Sequence, residues 1–149
     1  SAPEDAAIAA AFPFDAFRRV IDLGGGGGGL LRAIRARAPV ARLVLFDRPD
    51  VVARATAPGI EVVAGDFFAA VPEGGDLYIL KRILHDWSDD DAVRILARVQ
   101  AVLTAPAARL LVIEGLVAPG PGPDPLKVQD IGMLLLTPGR ERTRAGAPL

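Results

Sequence analysis

The sequence predicts an α/β fold built on a doubly wound, mostly parallel sheet of about five strands. Three observations carry that expectation. Short, continuously apolar runs recur along the chain, as strands buried on both faces do. Helix-patterned segments separate them, as crossovers between parallel strands require. Each run ends in a glycine or a charged residue, and ligands in open α/β sheets bind outside the carboxyl ends of strands.

Residues 1–16 are Ala-rich and read as a lead-in or linker, with a frayed end or short helix; the domain proper is expected over 17–149. Arg19-Val20-Ile21-Asp22-Leu23 is the first strand, and a glycine run closes it. Leu30, Leu31 and Ile34 then fall at helical spacing, and Pro39 stops that helix. Leu43 to Phe46 is a second strand ending at Asp47, and Pro49 suits a helix start. Ile60 to Val63 ends at Gly65-Asp66, and Asp76 to Leu80 is the fourth strand. Ser88 is placed to cap the next helix, whose first turn carries Asp89, Asp90 and Asp91. Val93, Leu96, Val99 and Leu103 are expected to line its buried face. Leu110 to Ile113 is the fifth strand, ending at Glu114. A Pro/Gly-rich loop over 119–125 leads to an apolar helix expected near Val128 to Leu136, then a charged tail.

Composition narrows the function classes. The chain has 149 residues, 51% of them hydrophobic, which suits one domain with a fillable core. Seventeen basic residues face 18 acidic ones, so no electrostatic footprint for nucleic acid or an anionic membrane exists. No apolar stretch reaches the roughly 20 residues of a membrane span. The chain holds no cysteine, which excludes disulfide frameworks and thiolate metal sites and fits the cytoplasm. No metal is expected.

Gly24 to Gly29 is an unbroken glycine run between a strand and a helix. Such a backbone turns tightly and lets a ligand come close. The run fits both G-x-G-x-x-G and G-x-G-x-G, so it leaves open a dinucleotide site and an S-adenosylmethionine site. Asp47, about twenty residues on, can accept hydrogen bonds from ribose hydroxyls of either cofactor. Asp66 beside Phe67 can bind an adenine amino group and pack the ring. The acids Asp22, Asp47 and Asp66 suit a cofactor bearing a sulfonium and an ammonium better than one bearing a pyrophosphate. His85, the one histidine, comes after a buried strand and next to Asp86 and Trp87, and an imidazole can accept a proton near neutral pH.

These residues resemble a known family. The stretches VIDLGGGGGG, LVLFDRPDVV, VAGDFF, LYILKRILHDWSDDDA, LLVIEGLVAPG and DIGMLLLTPGRERT are similar to those of the plant-type O-methyltransferases, the family of caffeic acid O-methyltransferase, and their bacterial relatives. They come in the family's order over roughly residues 17–143. The resemblance implies a Rossmann-like class I methyltransferase fold with S-adenosyl-L-methionine as cofactor and a small-molecule hydroxyl acceptor, aromatic or polyketide-like. It implies that Gly24, Gly26 and Gly28 surround the methionine part, Asp47 the ribose, and Asp66 with Phe67 the adenine. Lys81 would contact the cofactor. His85 would be the general base, flanked by Glu114 and Glu141. Asp130 and Met133 would sit on a helix bordering the acceptor pocket.

The assignment makes chemical sense. Methyl transfer from a sulfonium to an oxygen is in-line displacement, so alignment is the main task. A phenol titrates near 10 and an ordinary histidine near about 6.5, so full proton transfer beforehand costs roughly 5 kcal/mol. Carboxylates that stabilise an imidazolium lower that cost.

The family also carries an N-terminal helical dimerisation domain and continues past the RERT segment. The chain is therefore expected to be a catalytic domain incomplete at its C-terminus, with later strands missing, an open edge on the fifth strand, and a homodimer in the intact parent. Competing expectations are a relative with altered, hydroxylase-like chemistry, an inactive fragment, and an NAD-dependent oxidoreductase. The last accounts for the glycines and Asp47 but not for Asp66-Phe67 or the histidine segment.

Overall fold

The computed structural model describes residues 1–55, 57–115, 126–128 and 131–138. In chain order the elements are α1 (Ala2–Ala11), β1 (Arg19–Leu23), α2 (Gly29–Arg37), β2 (Arg42–Asp47), α3 (Pro49–Val52), β3 (Glu61–Ala64), β4 (Leu77–Lys81), α4 (Asp89–Val102), β5 (Arg109–Gly115), β6 (Leu126–Val128) and β7 (Ile131–Leu136). The strands form one sheet in the order β3-β2-β1-β4-β5-β7-β6. The first five run parallel, as the apolar runs predict. The chain winds outward from β1 through β2 to β3, then crosses back to β4 and β5. That reversal between β1 and β4 opens a crevice at their carboxyl ends.

Helices cover both faces. Val20, Leu43, Leu45, Leu77, Ile79 and Ile113 point to α1 and α2, where Ile8, Leu31 and Ile34 are fully buried. Ile21, Leu23, Val44, Phe46, Tyr78 and Leu80 point the other way, onto Ile95, Val99 and Leu103. Strand alternation alone produces this sorting. It also puts Asp22 and Lys81 beneath α1, because each comes two positions after an α1-facing residue.

Residues 2–11 form a capped helix: the Ser1 hydroxyl accepts from the Glu4 N–H at 3.4 Å, and Ile8 and Ala9 are buried. Ser88 caps α4 as expected, accepting from the Asp91 N–H at 3.2 Å. The buried stripe of α4 is shifted from the expected one. Val93 is 63% exposed, whereas Ile95 is fully buried with Val99. Ile95 and Val99 are four apart and share a face with Leu96 and Leu103; Val93 falls off it.

The expected helix near Val128 to Leu136 is not formed. Residues 131–136 make β7, antiparallel to β5 from Gly115↔Ile131 to Leu110↔Leu136, and β6 pairs outside it. The fifth strand's edge is therefore covered, against expectation, and the described residues form seven strands where about five were expected. The physical reason is backbone satisfaction. A six-residue helix is marginal by itself, while an uncovered β5 would leave a row of unpaired N–H and C=O groups. Pairing also buries Ile131 and Met133.

Candidate functional site

The carboxyl ends of β1, β2, β3 and β4 gather around one open cavity of about 890 Å³. Gly24 and Gly26 enter it from the β1 loop, and Asp47 from the end of β2. Asp66, Phe67 and Phe68 come from the turn after β3, with Ile83, Asp86 and Trp87 from the segment after β4. No helix among the described residues is long and apolar enough to cross a membrane.

The glycine run is built for close approach. Gly24, Gly26 and Gly28 lie at φ 75°, 61° and 88°, the left-handed region that side chains rarely adopt. A Cβ on Gly26 would point into open space, so the backbone itself faces the cavity. Gly25 is closed from below, since a Cβ there would come within 2.4 Å of Leu45 and 2.6 Å of the Asp22 carboxylate. Asp47 ties this loop to β2: one oxygen accepts from the Gly26 N–H at 2.9 Å, the other from the Arg48 N–H at 2.7 Å. Each carboxylate oxygen has a second lone pair, which keeps acceptor capacity for a ligand. Asp66 accepts from the Phe68 N–H at 2.9 Å, which fixes the turn presenting the two phenylalanines. Phe67, Phe68 and Trp87 meet edge to face, with Phe68 and Trp87 centroids 4.8 Å apart. Arg94 lies over the Phe68 ring at 4.9 Å.

Asp22, at the tip of β1, is 2% exposed, and its Oδ1 has no hydrogen-bond partner. Burial pushes its carboxyl up to about 7, against the opposing pull of the Lys81 ammonium; Asp5 and Asp47 push the same way as burial. Lys81, expected beside the cofactor, turns instead to α1, with its ammonium 2.5 Å from Asp5 and 3.3 Å from Glu4.

His85 sits in a short 3₁₀ turn, Leu84–Asp86, just past β4. Its Nδ1 lies 2.8 Å from Glu114 Oε1, and the other Glu114 oxygen accepts from the Leu84 N–H at 3.1 Å. Its Nε2 lies 3.1 Å from Asp86 Oδ1. The imidazole is half exposed and Glu114 a quarter exposed, so the pair stands at the rim, next to the Asp86 and Trp87 that line the cavity.

The structure thus gathers Gly24, Gly26, Asp47, Asp66 and Phe67 around one cavity and sets His85 on Glu114 at its edge. Gly28 stands slightly apart, as the left-handed residue before α2. Met133 is not on a pocket-bordering helix; it lies on β7, packed in the core under α1. Asp130 and Glu141 fall outside the described residues. Sequence reasoning missed Glu4, Asp5 and Arg82: at the exit of β4, Lys81 pairs with Asp5 across 76 residues of sequence and Arg82 with Glu4 across 78. No local spacing could have signalled that.

The expected methyl donor fits these residues. The cavity has a bare backbone cradle at Gly26, aromatic rings on one wall, the acceptor carboxylates of Asp47 and Asp66 in its lining, and just beneath it a buried carboxyl with one unpartnered oxygen.

Comparison with known proteins agrees. Residues 4–147 match the O-methyltransferase domain family. The mitomycin biosynthesis 6-O-methyltransferase of Streptomyces lavendulae is 39% identical over 97% of this chain and 43% of its own length. The 8-amino-8-demethylriboflavin N,N-dimethyltransferase of Streptomyces davaonensis is 41% identical over 90% of this chain and 41% of its own. Among solved structures, CalO1, a methyltransferase in calicheamicin biosynthesis in its SAH-bound form, superposes with a TM-score of 0.73 at 41% identity, over 83% of this chain and 38% of that one. The chain spans about two fifths of the length of these relatives.

Proposed function

This chain belongs to the O-methyltransferase domain family, and from that premise we propose that it binds S-adenosyl-L-methionine at the strand tips and methylates a hydroxyl of a small natural-product-like molecule, with His85 as general base. The single observation that carries the reading is the convergence of Gly26, Asp47, Asp66 and Phe67 on one cavity beside the His85–Glu114 pair. Bound there, the cofactor supplies an electrophilic methyl group on a sulfonium.

The chain's residues do the rest. The Gly24–Gly26 backbone and Asp47 hold the polar end and ribose, and Asp66 with Phe67 holds the adenine. Glu114 accepts the His85 Nδ1 hydrogen, which leaves the Nε2 lone pair to take the acceptor's proton. Asp86 now faces that nitrogen; it is two-thirds exposed and can turn to water when an acceptor arrives. As His85 gains the proton, Glu114 provides the counter-charge at 2.8 Å. Trp87 and the two phenylalanines shed water from the reacting centre. An oxygen acceptor fits the base better than an amine, since an amine nucleophile needs its lone pair free before it attacks rather than a proton removed.

A cytoplasmic location belongs to the same reading, supported by the cysteine-free composition. So does a homodimer formed through an upstream helical domain, which the family resemblance implies.

Calorimetric titration of S-adenosylhomocysteine and of NAD into the chain tests the proposal. Saturable binding of the first and none of the second is expected. Tight NAD binding with no response to S-adenosylhomocysteine would reverse the assignment to an oxidoreductase.

A further inference from the structure

The chain leaves β4 through a residue in a rare backbone state. Arg82 has φ 54°, the one non-glycine residue at positive φ among those described. A side chain stays in that region only where its surroundings over-determine it, and such residues cluster at functional sites. Three contacts hold Arg82. Its N–H donates to the Ile113 carbonyl at 2.7 Å, at the end of the β4–β5 pairing. Its guanidinium grips Glu4, Nη2 to Oε2 at 2.7 Å and Nε to Oε1 at 3.3 Å. The same guanidinium lies against Gly115, where a Cβ would come within 3.1 Å of Nη1. Arg82, helped by Lys81, holds the Glu4 carboxyl at about 2, well below the usual range.

The imidazole lies just beyond Arg82 in the chain. Leu84 N–H and His85 Nδ1 both rest on the one Glu114 carboxylate, two and three residues past the left-handed turn. So short a path leaves the imidazole little freedom once the turn is fixed. The turn itself is gripped from α1, a helix more than seventy residues upstream.

We propose that Glu4 and Arg82 are positioning residues for His85: their ion pair holds the left-handed turn after β4 and so sets the imidazole on Glu114. The catalytic meaning of this rests on the reading of His85 as a base; the geometry does not. A plainly structural role, with the pair only fastening α1 to the sheet, predicts a different outcome.

The chain holds a single histidine, so nitrogen NMR of its imidazole reports His85 alone. Asp86 also faces the ring, 3.1 Å from Nε2, but it is two-thirds exposed and solvated, whereas Glu114 is closer and largely covered; at a pH that keeps the ring neutral, the wild type should therefore show mainly the Nδ1-protonated tautomer. Glu4→Gln and Arg82→Gln should each give a mixture of tautomers. The double variant should go no further than either single one, the mark of two residues acting as one unit. Arg82→Gly suits the backbone but lacks the guanidinium, so it should behave like Arg82→Gln. Asp5→Asn, which loosens α1 through Lys81 and spares the Glu4–Arg82 pair, should keep the wild-type tautomer. Wild-type ring signals in Glu4→Gln and Arg82→Gly would overturn the proposal. Equal disturbance by Asp5→Asn would do so too, since docking of α1 would then be the cause. S-adenosylhomocysteine affinity is measured on the same samples. If the wild type does not bind it, the methyltransferase reading fails while the ring signals still decide the positioning claim.

Discussion

On the proposed reading His85 and Asp47 have different jobs around one cavity, and substitution should separate them. His85→Gln keeps the size and polarity of the side chain but cannot carry a proton away. Methyl transfer is expected to fall by about 10²–10⁴-fold with S-adenosylhomocysteine affinity nearly unchanged. Asp47→Ala removes the acceptor that ties Gly26 to β2, and weaker cofactor binding should dominate there. Turnover that survives His85→Gln, or affinity that survives Asp47→Ala, removes the corresponding role. Asp22 is expected to speak through stability. Its folded carboxyl titrates at about 7 against an ordinary value of 3.8, so the folded chain keeps a proton that the unfolded chain has released. That contribution is fully present below about pH 4 and is lost as pH rises through about 7. Asp22→Asn stays neutral throughout, so its stability relative to wild type should grow across that window, by up to roughly 4 kcal/mol for a carboxyl raised from 3.8 to about 7. Urea unfolding at pH near 4 and near 8 measures this, and a difference between the two chains that ignores pH would contradict it. None of these residues was hidden in the sequence: each stands at or near the carboxyl end of an apolar run. What the sequence withheld was which acid is buried, because that depends on α1 closing over β1 and β4.

At the scale of elements, the parallel strands were legible because a strand buried on both faces carries a continuous apolar run, and β1, β2, β4 and β5 do. The edge strand β3 reads the same way in sequence, though Val62 on it is 43% exposed. Helix α4 shows where pattern reading slips. Its cap and acidic first turn locate it, yet Val93 and Ile95 compete for the inward face at this spacing and only packing against the sheet decides. Ile95→Ala should therefore cost about 2–5 kcal/mol, whereas Val93→Ala should stay within about 0.5 kcal/mol. Denaturant midpoints of the two variants check this, and similar losses would mean the stripe is misplaced. β7 was illegible for a stronger reason. An apolar run of six between turn residues has no periodicity that separates strand from buried helix, and the open place beside β5 is a property of the assembled sheet.

The whole molecule is a switch-point sheet whose crossover brings remote segments to one crevice. Its cavity draws on four strand ends, and the His85–Glu114 pair joins β4 to β5 across the same end. That gathering was visible in sequence because every tip carried a polar residue, and topology then leaves them a single shared side. The clasp between α1 and the exit of β4 was not, since two acids in a first helical turn read equally well as partners of the helix dipole. The chain contains a single tryptophan, and Trp87 forms part of the cavity wall in edge contact with two phenylalanine rings. The molecule thus comes with a built-in optical gauge: its entire indole emission arises within the space a ligand would fill. Adding S-adenosylhomocysteine should change that fluorescence in a saturable way, with the same dissociation constant that heat measurements give. An emission spectrum indifferent to a ligand that calorimetry shows to be bound would place the ligand somewhere else.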